Sequence, residues 1–387
     1  MLYISRETIM SIIDYNNYQA VRPHIQTSTN HKTYSVIKYI KENLTLDNVG
    51  ILGLYRSVIV KKNSWQIVCV SPPKSISPEV FMATYDPSSI VAEQFIEGTM
   101  INVFWDMDGD GWMVNTKSKV GAECSYHGTC TFYDMFKDAC NFCNLQLDNL
   151  DKTLCYSFVL QHPANRIVVR IEHPQIYLIR AYKIHSNSCV EPIELPNDNY
   201  EFRQSRIEFA NSSVMRPCTY TVSTYSDLID RFATDKNTPY NVLGVVLRQD
   251  NTHCKLRNPT YVNVQVLRGN TPRMDYQYVW LRKNNKLSEF LLYFPEYKPL
   301  MSAFRKSLHA FTSQLFNNYV SCYICKQNKI YYFTGFYQRH MKYLHHIYIN
   351  SLMPLRRSVT KQTVIDYVNQ LDISVQLIAI QYNLDTA

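Results

Sequence analysis

A chain of 387 residues, 46% hydrophobic and 19% charged, has material for more than one compact core; this excludes a mini-protein, a wholly disordered chain, a collagen and a coiled coil. No apolar run approaches the roughly 18 residues that suggest a membrane-crossing helix. The opening MLYISRETIMSIIDYNN lacks the basic start, apolar middle and cleavage site of a secretory leader, so a soluble intracellular protein is expected.

The formal charge of +8 is unevenly spread. Between Glu296 and Asp366 there is no acidic residue against ten basic ones, whereas the remainder carries 30 basic and 32 acidic residues. Eleven cysteines, an odd number scattered over a long chain, point to reduced thiols, most of them buried. Ten glycines against 30 tyrosines, with abundant Asn and Ile, suggest AT-rich coding of the kind found in viral or parasite genomes.

Residues 1–50 mix short helical stretches with polar ones such as HIQTSTNHKTY and are taken as an N-terminal extension. From Gly53 to about Arg282, short runs rich in Val, Ile, Tyr and Phe alternate with Pro, Asn, Asp and Gly. YRSVIV, WQIVCV, MINVFWD, YSFVL, NRIVVRI, IYLIRAY, NVLGVVLR and YVNVQVL read as strands, and MDGDGW as a hairpin turn in which Asp-Gly supplies a positive φ. Many strands with few long helices predict an antiparallel α+β domain over 51–288.

Beyond Glu289 the period lengthens. Leu300, Phe304, Leu308, Phe311 and Leu315 recur at helical steps, as do Val364, Tyr367, Val368 and Leu371. A basic helical domain over 289–387, of about three helices with Pro354 interrupting before the last, is expected.

Two C-x-x-C pairs, Cys140 with Cys143 and Cys322 with Cys325, have the thiolates for a structural Zn²⁺. They fall in different predicted domains beside Phe142, Tyr323 and Ile324, which favours apolar burial and no metal. His345 and His346 point in different directions on a helix and read as surface groups. In SFVLQHPANRIVV a strand, a Pro-Ala-Asn turn and a second strand fit, with Asn165 and Arg166 open to two roles, capping the turn or touching a ligand.

This tract follows FIEGTMINVFWD and WMVNTKSKVGA and precedes NVLGVVLR and CKLRNPTY. The order resembles the nucleotidyltransferase domain of the phage RNA ligase 1 family, including its relatives in large DNA viruses, over roughly residues 50 to 270. FV-x-x-x-P-x-NRIV is the most specific part of the resemblance. The resemblance implies an antiparallel-sheet, ATP-grasp-like ligase domain. It also implies a mechanism in which a lysine of a Lys-x-Asp-Gly motif attacks the α-phosphate of ATP and passes AMP to an RNA 5′-phosphate, while later carboxylates help hold metal and nucleotide.

The reacting groups are replaced. Anchored on Gly98, Phe95 stands where the nucleophilic lysine belongs, followed by Ile96 and Glu97, and no lysine occurs between Lys74 and Lys117. A phenyl ring has no lone pair for attack. Ser157 and Leu243, just before Gly244, stand where the family has glutamates, which removes hard oxygen ligands for Mg²⁺. The cations match better: Lys255 and Arg257 fit the last motif, Lys117 and Lys119 a basic strand, and Arg56 an upstream arginine. They are expected to grip a nucleotide or a strand end, the competing reading being solvated strand cations.

The acid-free tract contributes Arg305, Lys306, Arg339, Lys342, Arg356 and Arg357, interleaved with Phe304, Phe311, Tyr331, Tyr332, Phe333, Tyr337 and Tyr343. Either these rings stack on unpaired bases beside phosphate-binding cations, or they form a core with cations outside; acidic protein partners fit the same charge.

The expectation is a virus-encoded, catalytically degenerate RNA-ligase-like protein that binds RNA or single-stranded DNA or acts as a scaffold with viral proteins, in the host cytoplasm at a viral factory or in the virion. No cofactor is expected. ATP and Mg²⁺ would enter under one alternative, an active ligase using a displaced lysine such as Lys117 or Lys119. The other alternative is a structural or virion-associated protein.

Overall fold

The computed structural model describes residues 13–14, 18–126, 130–193, 212–235 and 238–384; most of the stretch weighed as a leader lies outside them. The chain divides into two compact units, residues 1–265 and 266–387. The first is built on antiparallel strands and the second on helices, which is the α+β architecture with a helical C-terminal part expected from the period change.

The strands, in chain order, are β1 (Ile13–Asp14), β2 (Ile25–Ser28), β3 (Tyr34–Tyr39), β4 (Val58–Lys61), β5 (Ile67–Val70), β6 (Val91–Gln94), β7 (Thr99–Asp106), β8 (Gly111–Thr116), β9 (Leu154–Gln161), β10 (Gln175–Ile184), β11 (Cys189–Ile193), β12 (Thr219–Tyr220), β13 (Gly244–Gln249) and β14 (Thr252–Arg257). They form a six-stranded sheet β1-β11-β10-β9-β7-β8, a four-stranded sheet β12-β6-β13-β14 and a four-stranded sheet β2-β3-β4-β5, every pairing antiparallel. Thus β2 and β3, from the first fifty residues, pair in one sheet with β4 and β5.

β9 is the axis of the large sheet. Its run LCYSFVL is buried on both faces, which is why it reads as continuous apolar sequence. Tyr156, Phe158 and Leu160 pack under the helix Phe132–Phe142 through Met135, Phe136 and Ala139. That helix starts in a capping box between Thr131 and Asp134, which satisfies otherwise orphaned amides. On the opposite parity, Cys155 packs with Phe104, Tyr182 and the residues of the β2–β5 sheet. A third core joins β6, β13 and β14 to the helices Pro78–Thr84 and Tyr225–Phe232 through Phe81, Leu228 and Phe232.

Two expected strands are corrected. NRIVVRI leaves the sheet after the turn Pro163–Asn165, because the amides of Val168 and Val169 donate to the buried carboxylate of Glu97 at 3.1–3.2 Å rather than to a neighbouring strand. YVNVQVL forms the helix Pro259–Arg268: Pro259 suits a first turn, the Asn258 side chain accepts from the Thr260 amide, and burial recurs at Tyr261, Val264 and Leu267. Here burial at helical spacing overrides β-branched propensity. The MDGDGW turn forms between β7 and β8 with Asp110 at φ 47°.

In the second unit the helix Lys298–Tyr319 buries Met301, Phe304, Leu308, Phe311 and Leu315, while Leu300 is exposed. Beyond it, the described residues contain three further α-helices, Gly335–Ile347, Lys361–Gln370 and Ile373–Leu384, and the short helix Leu287–Tyr293 precedes it, giving five where about three were expected. Pro354 lies in a short 3₁₀ turn ahead of the last two.

Candidate functional site

The segment Phe95–Gly98 carries the chain from β6 in one sheet to β7 in another, and the site forms around it. Two glycines permit the crossing. Gly98, at φ +149°, would place a Cβ 2.4 Å from the Leu160 carbonyl oxygen, and Gly244, at φ +134°, one 2.0 Å from that of Leu256. Both backbones are therefore closed to any side chain. The Phe95 amide donates to the Gly244 carbonyl at 3.2 Å, fixing the ring's root.

Glu97 locks the other end. Burial raises its carboxyl, against the pull of the Tyr261 hydroxyl and the Val168 and Val169 amides that bond it. Asn165, left open between cap and ligand, donates to Thr99 Oγ1 at 3.0 Å, and Arg166 Nε donates to the Val168 carbonyl at 3.1 Å. The tract thus serves chiefly to brace the crossing.

On one side of the crossing lies a cleft lined by Arg56, Phe95, Arg180, Arg248, His253 and Lys255 among others. On the other is a cleft that includes Arg170, His173, Tyr177, Tyr220 and Leu243; Gln94, Phe95 and Ile96 line both.

The first cleft is strongly cationic. Burial pushes the Lys255 ammonium down to about 7, with Arg56, Arg257, Lys74 and Lys117 adding to the shift. Desolvation likewise brings Lys117 down to about 8, reinforced by Arg56, Lys38 and Lys74. Lys74 is lowered by burial and then by Arg56 and Arg257, and burial lowers Arg56 too. His253 is held well below the usual histidine range by burial and by Lys255, Arg56 and Arg180, so it is neutral at pH 7. Lys255 Nζ lies 4.8 Å, and Arg257 Cζ 5.2 Å, from the centre of the Phe95 ring, a cation–π arrangement that eases the crowding of like charges.

Two carboxylates line this cleft, Glu93 and the exposed Asp250, and the buried one is already committed. Glu93 receives Arg248 at 2.7 Å and Arg180 at 3.6 Å. Burial works to raise its carboxyl, yet the two guanidiniums hold it below the ordinary value. It therefore neutralises Arg180 and Arg248, not the Arg56–Lys74–Lys117–Lys255–Arg257 group.

The remaining anticipated positions are now placed. Ser157 is fully buried on β9, its Oγ donating to Asn102 Oδ1 at 2.8 Å, while Asn102 Nδ2 donates to Ser71 Oγ at 2.7 Å. A neutral hydrogen-bonded chain thus stands where a metal-holding carboxylate was weighed. Leu243 is buried, and its carbonyl accepts from the Asn258 amide at 3.0 Å. Lys119 sits in the turn after β8 and donates to the Glu123 carbonyl. Arg56, Lys117, Lys255 and Arg257 are brought together; Lys119 is engaged elsewhere.

Sequence reasoning missed Lys74, Arg180, Arg248, His253 and Glu93. Lys74 lies in a PPKS stretch with no motif around it, and the Glu93 pair forms only when β6, β10 and β13 meet.

Cys140 and Cys143 are buried in the core of the large sheet, whereas Cys325 is exposed. Among the described residues no group of three or more His, Cys, Asp or Glu side chains is placed to hold a metal ion. Of the basic tract, Arg305, Lys306, Arg339, Lys342, Arg356 and Arg357 are all exposed. Its aromatics divide: Phe304, Phe311 and Tyr337 are core, while Tyr331, Tyr332 and Tyr343 are exposed. His346 is exposed as expected, but His345 is half-buried, stacked on Tyr323 with ring centres 4.0 Å apart.

No family model and no curated protein matches the chain. Several solved structures do. An archaeal ATP-dependent RNA ligase (form 2) matches at 10% identity and TM-score 0.38, over 68% of this chain and 64% of its own length. A chain described as an ATP-dependent DNA ligase from Aquifex aeolicus matches at 12% and 0.38, over 71% and 74%. An RNA ligase of Naegleria gruberi with ATP and Mn matches at 12% and 0.37, over 66% and 84%.

Proposed function

We propose that the cleft between β6, β10 and β14 binds the phosphates of a nucleotide, or the phosphorylated end of a nucleic-acid strand, without reacting with it. On this reading the protein is a degenerate RNA-ligase-like binding or scaffold protein. One observation carries it: Arg56, Lys74, Lys117, Lys255 and Arg257 are gathered closely enough that their repulsion adds to burial in lowering the three lysines, and the buried lining carboxylate, Glu93, is occupied by two other arginines. Desolvated like charges are costly to hold together, and a polyanion is the ligand whose entry relieves that cost. Retention of bases beside phosphates is a charge-assisted interaction that needs no nucleophile.

The positions that would perform transfer do not fit it. Phe95 offers no lone pair, and Ser157 and Leu243 offer no carboxylate to a divalent ion.

One observation favours a second reading. Lys255, at about 7, is substantially neutral at physiological pH, as an amine nucleophile must be. In that reaction its lone pair forms a P–N bond to the α-phosphorus of ATP, the bond to pyrophosphate breaks and the amine proton leaves to solvent. Incubation with α-labelled ATP and Mg²⁺ separates the two. Label retained on native filters but lost on denaturing gels supports binding alone; label surviving denaturation, and absent from Lys255→Arg, supports transfer.

A further inference from the structure

The turn between the helices Lys298–Tyr319 and Gly335–Ile347 contains two adjacent tyrosines, Tyr331 and Tyr332, that are 61% and 70% exposed. Their ring centres are 4.7 Å apart. Paired rings left in water within a unit that buries Phe304, Phe311 and Tyr337 invite an explanation. The turn is held at both ends. Gln327 N donates to the Ser321 carbonyl and Asn328 Nδ2 to Ser321 Oγ, each at 2.8 Å, while Gln338 Nε2 donates to the Phe333 carbonyl at 2.7 Å. The pair is thus presented on a fixed 3₁₀ turn, Ile330–Tyr332, with little ordering left for binding to require. Tyr343, also exposed, already has a partner: it stacks on Tyr367 with ring centres 5.4 Å apart.

Charge points to the occupant. Lys326 and Lys329 are exposed in the same turn, Lys329 Nζ lies 6.0 Å from the Tyr331 ring centre, and no acidic residue lies between Glu296 and Asp366 in the sequence. An acidic peptide would use the cations but has no need of two bare rings. Unpaired bases use both.

We propose that the Tyr331–Tyr332 turn is a stacking platform for single-stranded nucleic acid, with Lys326 and Lys329 meeting the backbone phosphates. This site is separate from the nucleotide reading above and stands or falls by itself.

The test is binding of the full chain, without ATP, to a labelled oligothymidylate lacking terminal phosphates and to an abasic strand of equal length. The base-bearing strand is expected to bind about tenfold tighter or more. Y331A combined with Y332A should erase that preference while leaving the thermal midpoint and the weak abasic binding in place; the Tyr→Phe pair should keep it. Equal affinity for the two strands, no binding at low salt, a preference that survives the alanine pair, or polyglutamate competing as well as the oligothymidylate would overturn the platform. A failure here leaves ATP binding at the cleft unaffected, and a failed ATP titration leaves this preference to be measured.

Discussion

Lys255 holds its ammonium 4.8 Å from the centre of the Phe95 ring, so the residue that follows β6 is covered by a cation from β14 of the same sheet. The ring fills the wall shared by two clefts and gives Lys255 and Arg257 a polarised surface to rest on. Cations thus surround a side chain that offers no lone pair.

An amine placed alone at position 95 is not expected to confer adenylyl transfer. Phe95→Lys adds a further cation to a crowded group, and Ser157 and Leu243 still offer no carboxylate. The variant should melt at a lower temperature than the parent and give no AMP adduct with ATP and Mg²⁺ on a denaturing gel. An adduct would show that the phenyl ring was the sole defect.

Phosphate binding should take up protons. An anion beside Lys255 and Lys117 raises them from about 7 and about 8, so each complex formed near pH 7.5 draws protons from the buffer. Calorimetry in buffers of different ionisation enthalpy should show this uptake near pH 7.5 and little of it at pH 6, where both amines are already charged. Affinity should decline as pH rises from 7 past 8. A pH-independent affinity across that range is the contrary result.

The same shifts predict a stability cost. Lys255 is depressed in the folded chain, so between about 7 and its unfolded value the unfolded state binds more protons, and stability contributed at this position rises with pH. Lys255→Met removes the charge while keeping much of the stem. It should raise the denaturation midpoint at pH 6, with the gain shrinking toward pH 10, and weaken ATP binding. A variant less stable than the parent at pH 6 would mean the amine has a stabilising partner.

The crossing is rigid by construction. Gly244→Ala puts a methyl 2.0 Å from the Leu256 carbonyl at a φ of +134°, and should cost roughly 3 kcal/mol or more, or abolish folding. Glu97→Gln places an amide donor against the Val168 and Val169 N–H groups and should cost about 1–3 kcal/mol in urea unfolding. A neutral result for Glu97→Gln would show that those amides have other acceptors.

Much of this layout was legible in the sequence for identifiable reasons. Runs rich in Val, Ile, Tyr and Phe report strands such as β7 and β10, Asp-Gly reports the turn at 107–111, and the spacing of Phe304, Leu308, Phe311 and Leu315 reports a helix. NRIVVRI misled because its amides serve a side chain 70 or so residues away, and YVNVQVL because β-branched residues at positions 262–266 sit on a helix whose buried stripe is carried by Tyr261, Val264 and Leu267. Arg56 and Lys255, which line the cleft, and Lys117 and Arg257, which act on Lys255, were nameable from motif positions. Lys74 and the Arg180–Glu93–Arg248 cluster were not, since their meeting depends on sheet packing that no local pattern encodes.

The central claim is that the cleft recognises phosphate charge. Titrating the protein with adenosine, AMP, ADP and ATP at pH 7 and low salt tests it most directly. The account predicts affinity that climbs with each added phosphate and collapses when Arg56 and Lys255 are both replaced by Gln; adenosine binding as tightly as ATP, or ATP unaffected by the double replacement, would contradict it.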